Sequence, residues 1–409
     1  CNLTSKSEES KIISQEDFAN LKWFNTLSRG FDLLSPAKKD KLAFNALINE
    51  FSDSLGVART NIYNQIGWQK NISDDKSYYS YLYHNGEITD HNIGIRCKTD
   101  ASLNNLEKYS LLSPRNNTDI EKAARTSRKL LNLMPENIIY PLIGLTYLSP
   151  IYTFLEGQDI NPSFTTWLKG KQQFGKTTIS SAVMKHFGPD FSIKNPPSTF
   201  ADTENSMIER FSCCGDTIFW VDDYHPTPDP NQAKAMNGKA NVLLRSGGNR
   251  SGKNRLDSTI TSVNTNDIKG FALVTGEDFP KVPQSGATRC FFLEMDSKLS
   301  PEAFKFAHEN CNNLSYAMHG YIQSFLTYDP FYELDERYSY IIEKFKSYFE
   351  DLDRTTYHAI ALQLGFESAV NFWLSLDIIS KEEAEELNNK SFDILIQHIQ
   401  KFDEQNREY

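Results

Sequence analysis

A long apolar run is the first thing this sequence lacks. Nowhere in its 409 residues is there an unbroken stretch of the roughly 18 to 20 apolar residues that a bilayer crossing needs. The most apolar segment, Ile138 to Leu155, is interrupted by Pro141, Gly144 and Pro150. It reads as a buried helix, and no membrane partner is expected. An export signal is missing too, because the opening CNLTSKSEES has neither a basic n-region nor an apolar h-region. Cysteine is sparse: the six include no C-x-x-C pair, and adjacent Cys213 and Cys214 are poorly suited to bridging each other. A disulfide framework and a structural zinc site are therefore not expected, and a reducing cytoplasm fits best. The chain opens on Cys1 rather than Met, which points to an upstream part. Internal repeats and low-complexity tracts are also lacking.

Nor is there an excess of positive charge, since the net charge is −10. From Phe331 to Tyr409, seventeen acidic residues stand against eight basic ones, so this segment carries nine of those ten charges. The remaining body is nearly neutral, and overall charge neither supports nor excludes nucleic-acid binding. What is present, 39% hydrophobic and 12% aromatic residues, suffices for two or three domains, roughly one per 100 to 200 residues.

Four regions follow from the patterning. Residues 1–57 space Phe18, Leu21 and Phe24, then Leu42, Phe44, Leu47 and Phe51, as helices do, and read as a helical leader. Residues 58–155 begin with a β-rich module, in which Tyr78 to Tyr83 alternates aromatics ahead of an Asn85-Gly86 turn. In the same region Thr118 with Glu121 forms a capping-box pattern before a helix over Ala123 to Leu133. Residues 156–299 alternate strand-like and helix-like runs, an α/β core with a parallel sheet; its strands are expected over Thr165–Leu168, Thr217–Val221, Phe271–Thr275 and Cys290–Met295. Residues 300–409 are helical by period and read as a lid and C-terminal helical domain.

The chemistry concentrates in the third region. Gly170-Lys171-Gln172-Gln173-Phe174-Gly175-Lys176-Thr177 fits G-x-x-x-x-G-K-[ST] without departure, between a strand and the helical run that Thr178 begins. The two glycines let backbone N–H groups turn toward phosphates, and the following helix presents its positive end. ATP is the expected ligand, held by Gly170 to Thr178, with Lys176 on the β and γ phosphates and Thr177 on Mg²⁺. Magnesium keeps an octahedral oxygen shell and needs a carboxylate nearby. Four apolar residues, Ile218 to Val221, lead to Asp222 and Asp223; Asp222 is the expected metal-side carboxylate and Asp223 the group that polarises the attacking water.

Three further segments carry less specific signals. Phe271 to Val274 is a buried strand tipped by Thr275, Gly276 and Glu277, where Thr275 or Glu277 senses hydrolysis, or the strand simply ends in a turn. Arg289 opens a core strand after a glycine turn, placed either as a finger on a neighbouring subunit's ATP or in an intramolecular salt bridge. Between Arg245 and Arg255 lie four cations, Arg245, Arg250, Lys253 and Arg255, and no acid. A mobile basic loop here suits DNA phosphates; the alternatives are a solvated loop, or Arg245 or Arg250 facing the nucleotide.

The series GKQQFGKTT, IFWVDDYHPT, LLRSGGNRSGKNRL, ALVTGE and GATRCFFLE, preceded by YNQIGW and an aromatic hairpin, resembles the AAA+ helicases of mobile genetic elements. These are the MCM-like replicative helicases of staphylococcal cassette chromosomes and pathogenicity islands, and related phage primase-helicase proteins. The resemblance spans roughly Ile62 to Met295 and implies a P-loop AAA+ ATPase core, a hexameric ring with ATP between subunits, and pore loops that move single-stranded or forked DNA. It implies phosphate and Mg²⁺ contacts at Lys176 and Thr177, an acidic pair at Asp222 and Asp223, a sensor over Thr275 to Glu277, a finger at Arg289 and a pore hairpin around Arg250. The chain departs from the pattern in having Asp-Asp where many such motors have Asp-Glu, and in lacking the usual sensor Asn. It shows no primase motif, so priming would fall to a primase or initiator partner.

The leading expectation is an ATP-dependent DNA helicase or translocase replicating a mobile element. Its rival is an ATP-controlled switch or loader that assembles with partners or DNA without unwinding, motivated by the acidic helices after Phe331. A small-molecule kinase is a weaker third reading, because no lid-type arginine cluster is readable.

Overall fold

The computed structural model describes residues 38–55, 60–73, 76–84, 86–89, 96–99, 106–251, 255–256, 263–264, 267–326 and 330–407. The chain divides into two compact units, Cys1–Asn61 with Ile93–Arg96, and Ile62–Asn92 with Cys97–Tyr409. In the first unit the described helix is α1 (Lys38–Ser54), with Leu42, Leu47 and Phe51 exposed; the rest of the expected leader, including Phe18, Leu21 and Phe24, lies outside the described residues.

The second unit opens with an antiparallel sheet of β1 (Gly67–Ser73), β2 (Lys76–Tyr83) and β3 (Gly86–Ile88). Both faces of its middle strand are buried, Ser80 and Leu82 on one and Tyr81 and Tyr83 on the other. Trp68 and Tyr81 pair across strands with ring centroids 5.2 Å apart, and Phe154 closes on Trp68 at 5.0 Å. Trp68 Nε1 donates to Pro150 O at 2.6 Å and Tyr81 OH donates to Asp216 O at 2.9 Å. These rings are core, satisfied at their polar ends, and not free to stack on bases.

Helix α2 (Asn117–Leu133) is capped by Asn116, whose side chain accepts from Asp119 N, so the cap is not the Thr118 box. Helix α3 (Glu136–Leu148) runs through a 3₁₀ turn into Tyr152–Glu156. As expected this run is a buried helix, with Pro141 and Gly144 inside α3 and Pro150 in the 3₁₀ turn, although Glu136–Glu156 is long and apolar enough to cross a membrane by length and composition. It is instead the central core helix, 94% buried. Proline deprives the carbonyl four residues back of its helical donor, and here Asn137 O is satisfied by His398 Nε2 at 2.8 Å. Gly144 and Gly365 mark a backbone-to-backbone crossing: a Cβ at Gly144 would stand 2.4 Å from Leu362 O, and one at Gly365 2.1 Å from Gly144 O.

The α/β core follows, with β4 (Thr165–Gly170), α4 (Lys176–Met184), β5 (Ser198–Thr199), α5 (Glu204–Cys213), β6 (Ile218–Tyr224) and α6 (Pro230–Asn249). Then come the short antiparallel pair β7 (Arg255–Leu256) and β8 (Val263–Asn264), and β9 (Phe271–Gly276) and β10 (Cys290–Met295). The five longer-range partners form one parallel sheet in the order β10-β4-β9-β6-β5. Runs such as FALVTG are buried at every position, as expected for strands covered on both faces. Residues after Pro301 form α7 (Pro301–Glu309), α8 (Leu314–Ser324), α9 (Pro330–Lys346), α10 (Arg354–Ser375) and α11 (Lys381–Arg407). Of these, α10 packs on α3 through the Gly144–Gly365 crossing. The protein is thus α/β, with a P-loop-type sheet and a helical C-terminal region.

Candidate nucleotide-binding site

Strand order sets the site. Strand β9 lies between β4 and β6, with Thr275 paired to Leu168 and Val274 to Val221. Three parallel strands therefore end side by side, and their carboxyl ends bring the P-loop, Asp222 and Thr275 together. The loop after β4 turns through Gln173 at φ 63° and Gly175 at φ 102°, where only glycine is unstrained, and α4 starts at Lys176. Lys176 Nζ donates to Gly170 O at 2.6 Å and Lys171 O at 3.0 Å, which holds the ammonium over the loop. Burial lowers its pKa, opposed by the charges of Glu277, Asp222 and Asp223.

Asp222 Oδ1 accepts from Thr177 Oγ1 at 3.2 Å and from Thr275 Oγ1. Burial raises the Asp222 carboxyl, while these hydroxyls pull it back down. One carboxylate among hydroxyl oxygens suits a hard cation such as Mg²⁺. Among the described residues no group of three or more His, Cys, Asp and Glu could hold a metal, so such an ion would complete its shell from phosphates and water. A cavity of about 160 Å³ opens between Gln172, Gln173, Lys176 and Thr177 on one side and Asp222, Asp223, Thr275, Gly276 and Glu277 on the other. A larger cavity of about 710 Å³ lies among α8, α9 and α10, away from this chemistry.

The tip of β6 is irregular. Pairing with β9 shifts register between Val274 and Gly276, and Asp223 adopts φ 66°. Bulges of this kind re-aim side chains beside active sites. Just beyond, His225 Nδ1 stands 3.1 Å from Glu277 Oε2. Sequence reasoning passed over His225, although it lies within the quoted IFWVDDYHPT; no local pattern joins it to Glu277.

Arg289 is not brought to this site. Cys290 pairs with Thr165 and Met295 with Gly170, so Arg289 stands at the amino end of the strands, about 17 to 20 Å from the P-loop at ~3.3 Å per residue. Among the described residues it forms no ion pair: its guanidinium donates to Asn249 Oδ1 at 3.3 Å and to Ser285 O. Arg354 lies beside it, its pKa lowered by burial and then by the charge of Arg289.

The basic segment requires a correction. Residues Arg245 to Asn249 are the last turns of α6 rather than a loop, with Arg250 as a left-handed C-cap. Arg250 is structural: its guanidinium donates to Pro162 O, Ile268 O and Gly270 O and lies 4.0 and 4.3 Å from the rings of Tyr152 and Phe271. Burial lowers its pKa to about 10. Its guanidinium is taken up by these carbonyls and rings rather than presented on a loop. Arg245 is exposed on α6, Arg255 opens β7 of the short hairpin, and Lys253 lies outside the described residues.

No protein-family model and no curated protein matches the chain. Among solved structures it is similar to one described as SCCmec type IV Cch, an active helicase, with a TM-score of 0.62 at 10% identity, covering 96% of this chain and 70% of that one. At that identity the likeness is one of fold, and it extends beyond the parallel-sheet core to nearly the whole chain.

Proposed function

We propose that this protein is an ATP-hydrolysing DNA helicase or translocase motor of the AAA+ type, acting in the cytoplasm in the replication of a mobile genetic element. The observation that carries the reading is the convergence of Lys176, Thr177, Asp222 and Thr275 at one end of a parallel sheet. Support comes from a fold shared with an active helicase across 96% of the chain.

In this reading the P-loop N–H groups from Lys171 to Thr178 cradle the phosphates of ATP, and Lys176 neutralises charge on the β and γ groups. Thr177 and Asp222 hold Mg²⁺, which supplies charge neutralisation across those phosphates. Thr275, bonded to Asp222, registers whether the γ-phosphate is present. Arg289 completes a neighbouring subunit's site, because it stands at the sheet end away from its own. The motor therefore works as a ring, with six subunits as the expected number, and takes single-stranded or forked DNA. Arg245, Arg255 and Lys253 contact its backbone, and a primase or initiator partner acts alongside.

Strand displacement on a forked duplex tests this, with Lys176→Ala as the blank. ATP-dependent unwinding that the variant lacks is the expected result. ATP turnover without displacement at either fork polarity would replace it with the second reading, an ATP-controlled switch or loader.

A further inference from the structure

Two carboxylates besides Asp222 face Lys176, and the structure treats them differently. Asp223 stands on the bulge of β6 in a left-handed conformation, with an exposed side chain. Glu277 follows the tip of β9 and is held at both ends. Its backbone N–H donates to Tyr224 O at 3.0 Å, and its Oε2 meets His225 Nδ1 at 3.1 Å. Glu277 and Asp223 line the same cavity as Lys176 and Thr177. The glutamate side chain is also one methylene longer than that of Asp223. Both carboxylates thus line the cavity that Lys176 lines, Glu277 with an imidazole against its carboxylate and Asp223 on a bulge in the left-handed region.

We infer that Glu277, not Asp223, is the carboxylate that deprotonates the attacking water, and that His225 is the positioning residue that aims it. The inference rests on the ATPase reading above and assigns a role within that site. As the water oxygen bonds to the γ-phosphorus, its proton passes to Glu277. The bond from the γ-phosphorus to the bridging oxygen breaks, and its electron pair leaves with ADP. The proton then departs with inorganic phosphate, so ATP and water yield ADP and phosphate with nothing left on the protein. Nδ1 of His225 donates to Glu277 throughout, which keeps the accepting oxygen turned into the cavity.

The test compares Glu277→Gln, Asp223→Asn, His225→Ala and His225→Asn for turnover and for affinity toward a fluorescent ATP analogue. Glu277→Gln should lose about a hundredfold or more in kcat, the usual scale for a missing general base, while binding the analogue within about threefold of the parent and retaining bound ATP uncleaved. Asp223→Asn should lose less than about tenfold. His225→Ala should lose about tenfold in kcat at unchanged KM, and His225→Asn, whose amide nitrogen stands near the place of Nδ1, should recover most of that loss. Parental turnover in Glu277→Gln, or loss in Asp223→Asn exceeding that in Glu277→Gln, would overturn the assignment. Equal losses in both His225 variants together with a lowered Tm would overturn the positioning role. Parental turnover in Lys176→Ala would sink the ATPase reading itself, which separates the two failures.

Discussion

The two ends of the parallel sheet use the same residue types for opposite purposes. At the carboxyl end Lys176, Asp222, Thr177 and Thr275 bond mainly to one another's side chains and to P-loop carbonyls around an open cavity. At the amino end Asp216 and Arg250 are each saturated by fixed partners. Asp216 accepts from Trp68 N at 2.9 Å, Thr153 N at 2.8 Å and Thr153 Oγ1 at 2.8 Å, and Arg250 is spent on three carbonyls and two rings. A buried charge whose partners are backbone groups locks packing; one whose partners are a few hydroxyls beside a cavity can exchange them for a ligand. Between these extremes sits Arg289, at the amino end with no carboxylate partner among the described residues and with Arg354 at its side.

The largest expected effect separates Arg289 from its neighbour Arg250. Arg289→Ala should lose about 10³-fold in turnover with nucleotide affinity kept, and mixing it with Lys176→Ala should restore part of the activity, since each variant supplies what the other lacks. Normal hydrolysis by assembled Arg289→Ala would remove the finger. Arg250→Ala should act on the fold instead, costing about 3 kcal/mol as its carbonyl acceptors are orphaned, read as a lower denaturation midpoint. A stable Arg250→Ala with weakened DNA binding would reverse the comparison.

Titration sharpens it further. Burial raises the Asp216 carboxyl to about 7. The stability from its neutral form is fully present below the pKa of an unfolded aspartate, near 3.9, and is lost as pH rises through about 7. Tm should therefore fall between about pH 4 and 7, and the fall should be shallower in Asp216→Asn. The smallest effect concerns DNA: Arg245→Ala with Arg255→Ala should weaken single-strand binding several-fold and flatten its salt dependence by about one to two counterions. Unchanged binding would take both residues off the DNA path.

The loop from Gly170 to Thr177 was legible because it is a run of consecutive residues, and the strand ends that bring Asp222 and Thr275 beside it because a buried strand is an apolar run closed by a polar group. The end of α6 was not. Gly247 and Gly248 cost a helix about 1 kcal/mol each and mimic a loop, but the reason for them is distant: a Cβ on Gly248 would stand 2.5 Å from Arg289 Cδ, and one on Gly247 3.0 Å from Thr165 Oγ1. Arg250 read as a DNA contact because its true acceptors, Pro162 O and Gly270 O, are joined to it only by folding. Pro141 is accommodated by a distant partner too, since His398, which takes up the carbonyl that its ring leaves without a donor, belongs to α11. Local signals thus announced the open end of the sheet, and long-range contacts built the closed one.

The most direct test is steady-state ATP hydrolysis by the purified protein with and without single-stranded DNA, beside Lys176→Ala. Turnover that rises with DNA and vanishes in the variant is the predicted result. Turnover that persists in Lys176→Ala would contradict the assignment of the nucleotide site, and turnover indifferent to DNA would contradict the motor.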